Sequence, residues 1–300
     1  MPKGNSLFFF RFVAQKGWHN MVLDGKKYAD EICEALKEKV DDMTKCGITP
    51  KLTIITSGNN DASKVYVRNK VRRCEEIGIA VDVKHYDRLT NSDVIDECHS
   101  MCPIIFQMPM NGNIFDSSFQ NLSADLDADG FVAEENIARL CKGDVPENYP
   151  CTPNGIMRLL NHYDIKLAGK SVCIIGRSNI VGRPLARLME QCNATVTLCH
   201  SKTPENVLYD VVRRADIIVS ATGSRNVLNI NTMKKYYDEA ILKDKVFVDV
   251  GMNRDENGKL CGDIDPNIFT HCKAYTPVPG GVGPMTVAML MENVVYFYDR

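Results

Sequence analysis

Four segments in the second half of the chain are mainly apolar and do not alternate with polar residues. They are SVCIIG, ATVTLC, DIIVSATG and KVFVDVG, and a helix-like segment, LARLMEQC, follows the first of them. Strands without alternation are covered on both faces, as in a parallel sheet that has helices on each side. The pattern therefore predicts a doubly wound, Rossmann-like parallel sheet in this half.

The first half also shows a β-α-β order. An amphipathic helix is predicted after Leu23, because apolar residues recur every fourth position from Tyr28 to Val40. The segment KLTIITSG reads as a buried strand, and a helix is predicted from about Ser63 to Ile77, ending at Gly78. AVDVKHY and CPIIFQMPM are the next predicted strands, and a second helical stretch follows DADGF.

A cluster of Pro, Gly and Asn near residues 143–155 predicts a linker between two domains. Three hundred residues also fit two domains that share a cleft better than one core. We predict an α/β chain with an N-terminal substrate domain and a C-terminal Rossmann-like domain. The first comprises residues 21–148 and a C-terminal helix, 284–300, and the second comprises residues 149–283. Residues 1–20 are interpreted as an extension, because Met21 is a second candidate start.

Composition argues against several classes of partner. The formal net charge is -2 with both signs mixed along the chain, so no basic field is present to hold a nucleic acid. No run reaches the roughly 20 apolar residues that a membrane helix needs. We expect a cytoplasmic protein with no membrane or nucleic-acid partner.

The twelve cysteines are scattered, and we interpret them as reduced thiols. Cys98, His99 and Cys102 lie close together in the chain, but their spacing matches neither paired zinc ligands nor a haem attachment site. No metal site is predicted.

The loop GRSNIVG, between Gly176 and Gly182, follows a predicted strand and opens a predicted helix. Free backbone N–H groups and the helix dipole favour an anion at such a place, so the loop predicts a pyrophosphate site, although its spacing is not GxGxxG. The second strand of the unit ends in His200 and Ser201, without the carboxylate that usually binds the ribose of NAD. Arg177 can bind a 2′-phosphate, with Ser201 as a partner, which favours NADP. The alternative is that Arg177 and Ser201 are solvated loop residues.

Tyr66 and Lys70 are four residues apart on a predicted helix, so both project from one face and could relay protons. Short-chain dehydrogenases also carry a Tyr-xxx-Lys pair, but there the pair follows the dinucleotide loop, whereas here it precedes it. Gln107 and Asp129 are further candidates. Alone, each of these residues could be structural: the tyrosine a packed ring, the lysine a solvated charge and Asp129 a turn residue beside Gly130.

Together, several segments resemble one family in order and spacing, over residues 21–300. They are ASKVYVRNK (62–70), FQMPM (106–110), DADGF (127–131), PCTPNG (150–155), GRSNIVGRP (176–184), TVTLCHSKT (195–203) and TPVPGGVGPMT (276–286). The resemblance is to the bifunctional methylenetetrahydrofolate dehydrogenase and methenyltetrahydrofolate cyclohydrolase family. It implies NADP-dependent oxidation of a one-carbon group on tetrahydrofolate, hydrolysis of the product, and a homodimer formed through the second domain.

The resemblance also implies roles for the candidate residues. Lys70 would be the catalytic lysine, Tyr66 would stack on the folate, Gln107 would tune Lys70, and Asp129 would bind the pterin ring. Pro279, Gly280 and Gly281 would bring backbone close to substrate and nicotinamide, with Val282 next to them. The predicted cofactor contacts are Gly176, Arg177, Ser178, Ile180, Val181, Gly182, His200, Ser201, Thr222, Gly223, Gly251, Gly281 and Thr286.

The chain departs from the family pattern at three places. FQMPM stands where VQLPL is usual, the stretch between Thr90 and Gln107 is several residues shorter, and Val132 and Ala133 replace the usual HP. Two other functions stay open at this point. One is a monofunctional dehydrogenase that uses NAD, and the other is a nucleotide-binding protein that kept the fold and lost the chemistry.

Overall fold

The computed structural model describes residues 20–99, 101–112 and 116–300, without the side chains of residues 61, 62 and 116. The predicted extension, apart from Asn20, lies outside the described residues. In the described part the chain forms two parallel sheets with helices packed on them, which confirms the predicted α/β class with two units.

The larger sheet has six parallel strands. In spatial order they are β1 (Met21–Val22), β11 (Ala274–Tyr275), β8 (Val246–Asp249), β7 (Ile217–Ser220), β5 (Ser171–Ile175) and β6 (Thr195–Cys199). The four strands predicted from apolar runs are all present here. Because the chain leaves β5 toward β6 on one side and later returns to β7 on the other, a crevice is expected at the carboxyl ends of β5 and β7.

The smaller sheet has three parallel strands, β3 (Ala80–Tyr86), β2 (Lys51–Ser57) and β4 (Ile104–Phe106), with β2 in the centre. Ile54 of β2 is opposite Val83 on one side and Ile105 on the other. A separate antiparallel hairpin consists of β9 (Asn253–Arg254) and β10 (Leu260–Cys261).

Ten α-helices and two short 3₁₀ helices are described in residues 20–300. They are α1 (Gly25–Lys45), α2 (Asp61–Ile77), α3 (Asn91–Glu97), α4 (Glu134–Lys142), α5 (Cys151–His162), α6 (Gly182–Gln191), α7 (Glu205–Arg214), α8 (Ile230–Met233), α9 (Pro266–Phe269), α10 (Val282–Tyr298), and the 3₁₀ helices Asp116–Phe119 and Glu239–Asp244. The predicted first helix is α1, and α3 occupies part of the shortened stretch before Gln107.

Helix α2 carries the predicted Tyr-xxx-Lys pair, and both of its ends are fixed by local sequence. The Asn60 side chain accepts a hydrogen bond from the Ser63 N–H at 3.1 Å, and Gly78 ends the helix in the left-handed conformation. The helix begins two residues before the predicted start.

The predicted linker at residues 143–155 is wrong in its second half. Helix α5 begins at Cys151 and includes Pro153, Asn154 and Gly155. Proline is compatible with the first turn of a helix, where its missing N–H has no partner to lose. The cluster of turn-forming residues therefore marks a helix start rather than a loop.

Strand β1 was not predicted, and it does not pair with the first-half sheet to which residues 21–148 were assigned. Met21 and Val22 pair with Ala274 and Tyr275 of β11 in the six-stranded sheet. Helix α10 packs on both α1 and α5. One buried cluster accordingly contains Ile54 of β2, Ile174 of β5 and Met289 of α10.

Cys98, His99 and Cys102, which lie close together in the chain, each contact a different residue. Cys98 Sγ lies 3.9 Å from the Ser118 carbonyl oxygen, His99 Nδ1 lies 2.8 Å from the Ile95 carbonyl oxygen, and Cys102 Sγ lies 3.3 Å from Thr53 Oγ1. Within the described residues, no three His, Cys, Asp or Glu side chains are grouped so as to hold a metal ion. None of the helices in this part of the chain is both long and apolar enough to span a membrane.

Candidate active site

Helix α2 brings Lys70 to a carboxylate from a distant part of the chain. The Lys70 side chain is buried, with 8% of the residue exposed, and Nζ lies 3.8 Å from Asp129 Oδ1. Tyr66 lies one turn earlier and is half-buried. Burial raises the pKa of the Tyr66 phenol, and the charge of Arg254 on β9 opposes that shift. Lys70 and Asp129 are therefore adjacent, and Arg254 from the second half of the chain lies near Tyr66.

A second aspartate, Asp127, shapes the loop that carries Asp129. Its carboxylate accepts hydrogen bonds from the backbone N–H groups of Gly130, Val132 and Ala133, at 3.0, 2.8 and 2.8 Å. Val132 and Ala133 are the residues that depart from the family pattern, and they contribute here through backbone atoms. Sequence reasoning missed Asp127, although the motif DADGF contains it.

Burial raises the pKa of Asp127 to about 6, and the hydrogen bonds from the backbone N–H groups of Ala133 and Val132 oppose this shift. An acid whose pKa is higher in the folded state stabilises the fold at low pH, and that contribution is lost as pH rises from about 4 through about 6. Asp127→Asn has no such titration. We expect its stability deficit relative to the parent to shrink by about 2 kcal/mol between pH 4 and pH 7. Urea unfolding of both proteins across this range measures the difference, and a constant deficit would contradict the expectation.

Gln107 follows β4 and lies beside buried strand β2. Its N–H donates to the Ile55 carbonyl oxygen at 2.9 Å, and its side-chain Nε2 donates to the Met108 carbonyl oxygen at 2.9 Å. The described hydrogen bonds of Gln107 thus run to strand β2 and to the next residue in the chain, and none of them involves Lys70. Gln107 Oε1 and Ser63 Oγ are both buried without a hydrogen-bond partner in the described residues. Buried polar atoms are nearly always paired, so these two fit a bound ligand or water.

The glycine-rich loop of the second half contacts the elements around Asp129. The Lys26 N–H at the start of α1 donates to the Gly280 carbonyl oxygen at 2.7 Å. Thr286 Oγ1 on α10 lies 3.0 Å from Thr152 Oγ1 on α5, and the preceding residue, Cys151, donates its N–H to the Asp129 carbonyl oxygen at 3.1 Å. A continuous set of contacts therefore connects the Lys70–Asp129 pair with the loop at Gly280.

The predicted phosphate loop lies at the carboxyl end of β5. Gly176 has a φ of 123°, and a Cβ there would lie 2.3 Å from the Ala221 carbonyl oxygen, so only glycine fits. Helix α6 begins six residues later, at Gly182, and Ser178 Oγ accepts a hydrogen bond from the Val181 N–H at 3.1 Å. Ile180 lies within the same loop. The loop and helix start have the form of an anion site.

Residues after β6 lie next to this loop, because the Gly176 N–H donates to the Cys199 carbonyl oxygen at 2.9 Å. His200 Nδ1 accepts a hydrogen bond from the Lys202 N–H at 3.1 Å, which orders the turn that presents Ser201. Arg177 and Ser201 are both exposed. Thr222 and Gly223 follow β7, and Gly251 follows β8, so these three predicted cofactor residues lie at the same edge of the sheet as the loop after β5, whereas Gly281 and Thr286 lie at the start of α10.

A loop with the form of an anion site at the switch point of a parallel sheet, together with a buried lysine–aspartate pair beside a second sheet, is typical of a two-unit α/β enzyme that binds a dinucleotide. Two family models match the chain. The model of the tetrahydrofolate dehydrogenase/cyclohydrolase catalytic domain matches residues 23–129, and that of the NAD(P)-binding domain matches residues 150–300. The chain belongs to the tetrahydrofolate dehydrogenase/cyclohydrolase family.

Relatives match the chain nearly end to end. The bifunctional protein FolD of Magnetococcus marinus is 41% identical over 284 residues, which cover 91% of this chain and 95% of that protein. The crystal structure of FolD from Campylobacter jejuni has a TM-score of 0.84 at 38% identity and covers 93% of this chain and 98% of that one. The Trypanosoma brucei enzyme, complexed with NADP cofactor and an inhibitor, has a TM-score of 0.84 at 30% identity, with coverage of 93% and 97%.

Proposed function

We propose that this protein oxidises 5,10-methylenetetrahydrofolate to the 5,10-methenyl form with NADP and then hydrolyses that product to 10-formyltetrahydrofolate. The relatives named above are bifunctional dehydrogenase/cyclohydrolases, and one of them was solved with NADP. The observation that carries the proposal is the Lys70–Asp129 pair, which is connected through Cys151 and Thr286 to the glycine-rich loop of the nucleotide-binding half. The first test is a spectrophotometric assay with methylenetetrahydrofolate and NADP.

The proposed chemistry divides between cofactor and protein. Bound NADP supplies the nicotinamide that accepts a hydride from the methylene bridge. In the second reaction, water attacks the methenyl carbon and loses one proton. The remaining hydroxyl then loses its proton to form the formyl carbonyl, the C–N5 bond breaks as N5 takes up a proton, and the formyl group stays on N10, so one proton is released in total. Lys70 assists these proton transfers, and Asp129 accepts hydrogen bonds from the pterin while fixing the ammonium. Tyr66 stacks on the substrate, and the unpaired Gln107 Oε1 is available to hold the attacking water or to orient Lys70.

The remaining predicted contacts fit the same arrangement. We propose that Gly176, Ser178, Ile180, Val181 and Gly182 hold the pyrophosphate at the start of α6. Pro279, Gly280, Gly281 and Thr286 would lie between nicotinamide and folate, because the loop that contains them contacts α1 and α5.

Arg177 and Ser201 make the choice between NADP and NAD testable. Arg177→Ala is expected to raise KM for NADP by roughly 10- to 100-fold, which corresponds to the loss of one charged hydrogen bond to the 2′-phosphate. KM for NAD is expected to change little, because NAD has no such phosphate. Initial rates with each cofactor measure both values.

Arg213→Ala is the matched control, because Arg213 is exposed and ion-paired with Asp210 on α7, whose last turn leads to the amino end of β7. An equal rise in KM for NAD and NADP in the Arg177 variant would contradict the assignment. Strong preference of the parent protein for NAD would instead favour the NAD-dependent alternative.

The domain division, the oligomer and the location in the cell are parts of the same proposal. We propose a cytoplasmic homodimer that associates through the nucleotide-binding domain. The folate domain would comprise residues 21–148 with 284–300, and the cofactor domain residues 149–283. The strand positions support this division except at β1, which pairs in the larger sheet. Light scattering after size-exclusion chromatography tests the dimer.

A further inference from the structure

Asp263 is a fully buried carboxylate that lies just after β10, outside the segments that carry the family resemblance. Its Oδ2 accepts four hydrogen bonds from the end of β7 and the loop after it: from Ser220 Oγ at 3.0 Å, from the Thr222 N–H at 2.7 Å, from Thr222 Oγ1 at 2.8 Å and from the Gly223 N–H at 3.2 Å. Its Oδ1 accepts a hydrogen bond from Asn253 Nδ2 at 2.9 Å. One carboxylate therefore ties the loop after β7 to the hairpin of β9 and β10.

A second buried carboxylate, Asp249, fixes the backbone at Asp263. Asp249 Oδ1 accepts hydrogen bonds from the N–H groups of Gly251 and Asp263, both at 2.9 Å, and Oδ2 accepts one from Ile264 at 2.9 Å. A Cβ at Gly251 would lie 2.2 Å from Asp263 Oδ1, so this loop packs directly on the carboxylate. The carboxylates of Asp263 and Asp249 thus hold together the loops after β7 and β8 and the hairpin of β9 and β10.

The donors described for Asp263 are amide and hydroxyl groups rather than a lysine or arginine. A buried charge is costly unless hydrogen bonds satisfy it, so the loops must keep the conformation that points these donors inward. Both the N–H and the hydroxyl of Thr222 are used in this way. Thr222 therefore has no hydrogen-bond donor left to offer a cofactor, and its position is set by Asp263.

We propose that Asp263 is a positioning residue for the cofactor. It holds Thr222, Gly223 and the hairpin so that the nicotinamide half of NADP is seated at the carboxyl edge of the sheet. The inference rests on the proposed cofactor site, in which the loops after β5 and β7 face NADP.

Asp263→Asn tests the proposal, because its amide cannot accept hydrogen bonds at both side-chain atoms. We expect KM for NADP to rise by roughly 10- to 100-fold, as for other lost buried hydrogen bonds to a charge. Cyclohydrolase turnover, assayed with methenyltetrahydrofolate and no NADP, should stay within about twofold, because hydrolysis does not use the nicotinamide. A purely structural role would lower both activities together, and that result, or an unchanged KM for NADP, would overturn the proposal.

Asp265→Asn is the matched control. Asp265 is also buried, but its hydrogen bonds run to Ile230 and Asn267 around the starts of α8 and α9. The Asp265→Asn substitution is expected to leave KM for NADP unchanged. If Asp263→Asn does not fold, as judged by thermal unfolding, Ser220→Ala removes one of the four donors, and a KM for NADP that rises about two- to fivefold supports the proposal.

The Arg177→Ala variant separates this inference from the proposed function. If Arg177→Ala raises KM for NADP and Asp263→Asn does not, the positioning role is wrong and the cofactor site stands. If neither variant changes KM for NADP, the cofactor site itself is misplaced.

Discussion

Lys70→Met is expected to lower the rate of methenyltetrahydrofolate hydrolysis by about 10²- to 10⁴-fold, the contribution typical of a general acid–base group. Methionine keeps the length of the side chain but cannot carry a proton. Because Lys70 lies on α2 and is not among the residues proposed to contact NADP, NADP binding is expected to persist. Loss of methenyl absorbance measures hydrolysis, and quenching of protein fluorescence or calorimetry measures NADP affinity.

Lys64→Met provides the same chemical change on the same helix. Lys64 is exposed, and its ammonium bonds to Asn59. We expect its hydrolysis rate to stay within about twofold of the parent, as for most surface substitutions. A hydrolysis rate in Lys70→Met that is close to that of the parent would show that Lys70 does not take part in the reaction.

Asp129→Asn is expected to lower kcat/KM of both reactions by roughly 10- to 100-fold. The change removes a charged acceptor for the pterin, and such a hydrogen bond contributes about 1.5–3 kcal/mol. It also leaves the Lys70 ammonium without its carboxylate, in a site where both side chains are about nine-tenths buried. Both activities should therefore fall, in contrast to Lys70→Met, where the stronger effect is on hydrolysis.

Asp125→Asn is the control in the same loop, because Asp125 lies 3.6 Å from Arg300 rather than beside Lys70. A normal KM for folate in the Asp129 variant, with only kcat reduced, would show that Asp129 does not bind substrate. Thermal unfolding of both variants separates loss of activity from loss of the fold.

Much of the scaffold could be predicted, because its strands are apolar runs that need both faces covered. Strands β5, β7 and β8 are of this kind, whereas β6 is a mostly exposed strand at the edge of the sheet. Helix α2 has clear start and stop signals in Asn60 and Gly78. Helix α5 was missed because Pro153 and Gly155 resemble a loop locally, although the first turn of a helix tolerates proline. Strand β1 has two residues, and its partner lies more than 250 positions away, so no local signal exists for it.

The candidate site was predicted only as separate residues. Nothing in the spacing of Lys70 and Asp129 indicates that their side chains are 3.8 Å apart, since that distance depends on tertiary packing. Asp127 and Asp263 were missed for a related reason. Aspartates in turns are common and usually serve only the local turn, so their burial and their many backbone donors become visible only in the fold.

The packing of α10 on both α1 and α5 has a consequence for how the chain can be divided. A fragment that ends at residue 148 would lack α10 and expose to water the apolar surface of α1 on which α10 packs. A fragment that begins at residue 149 would carry α10 without the helix on its other side. The two halves are therefore expected to fold and unfold as one cooperative unit, so neither is a module that could be transplanted alone into another protein.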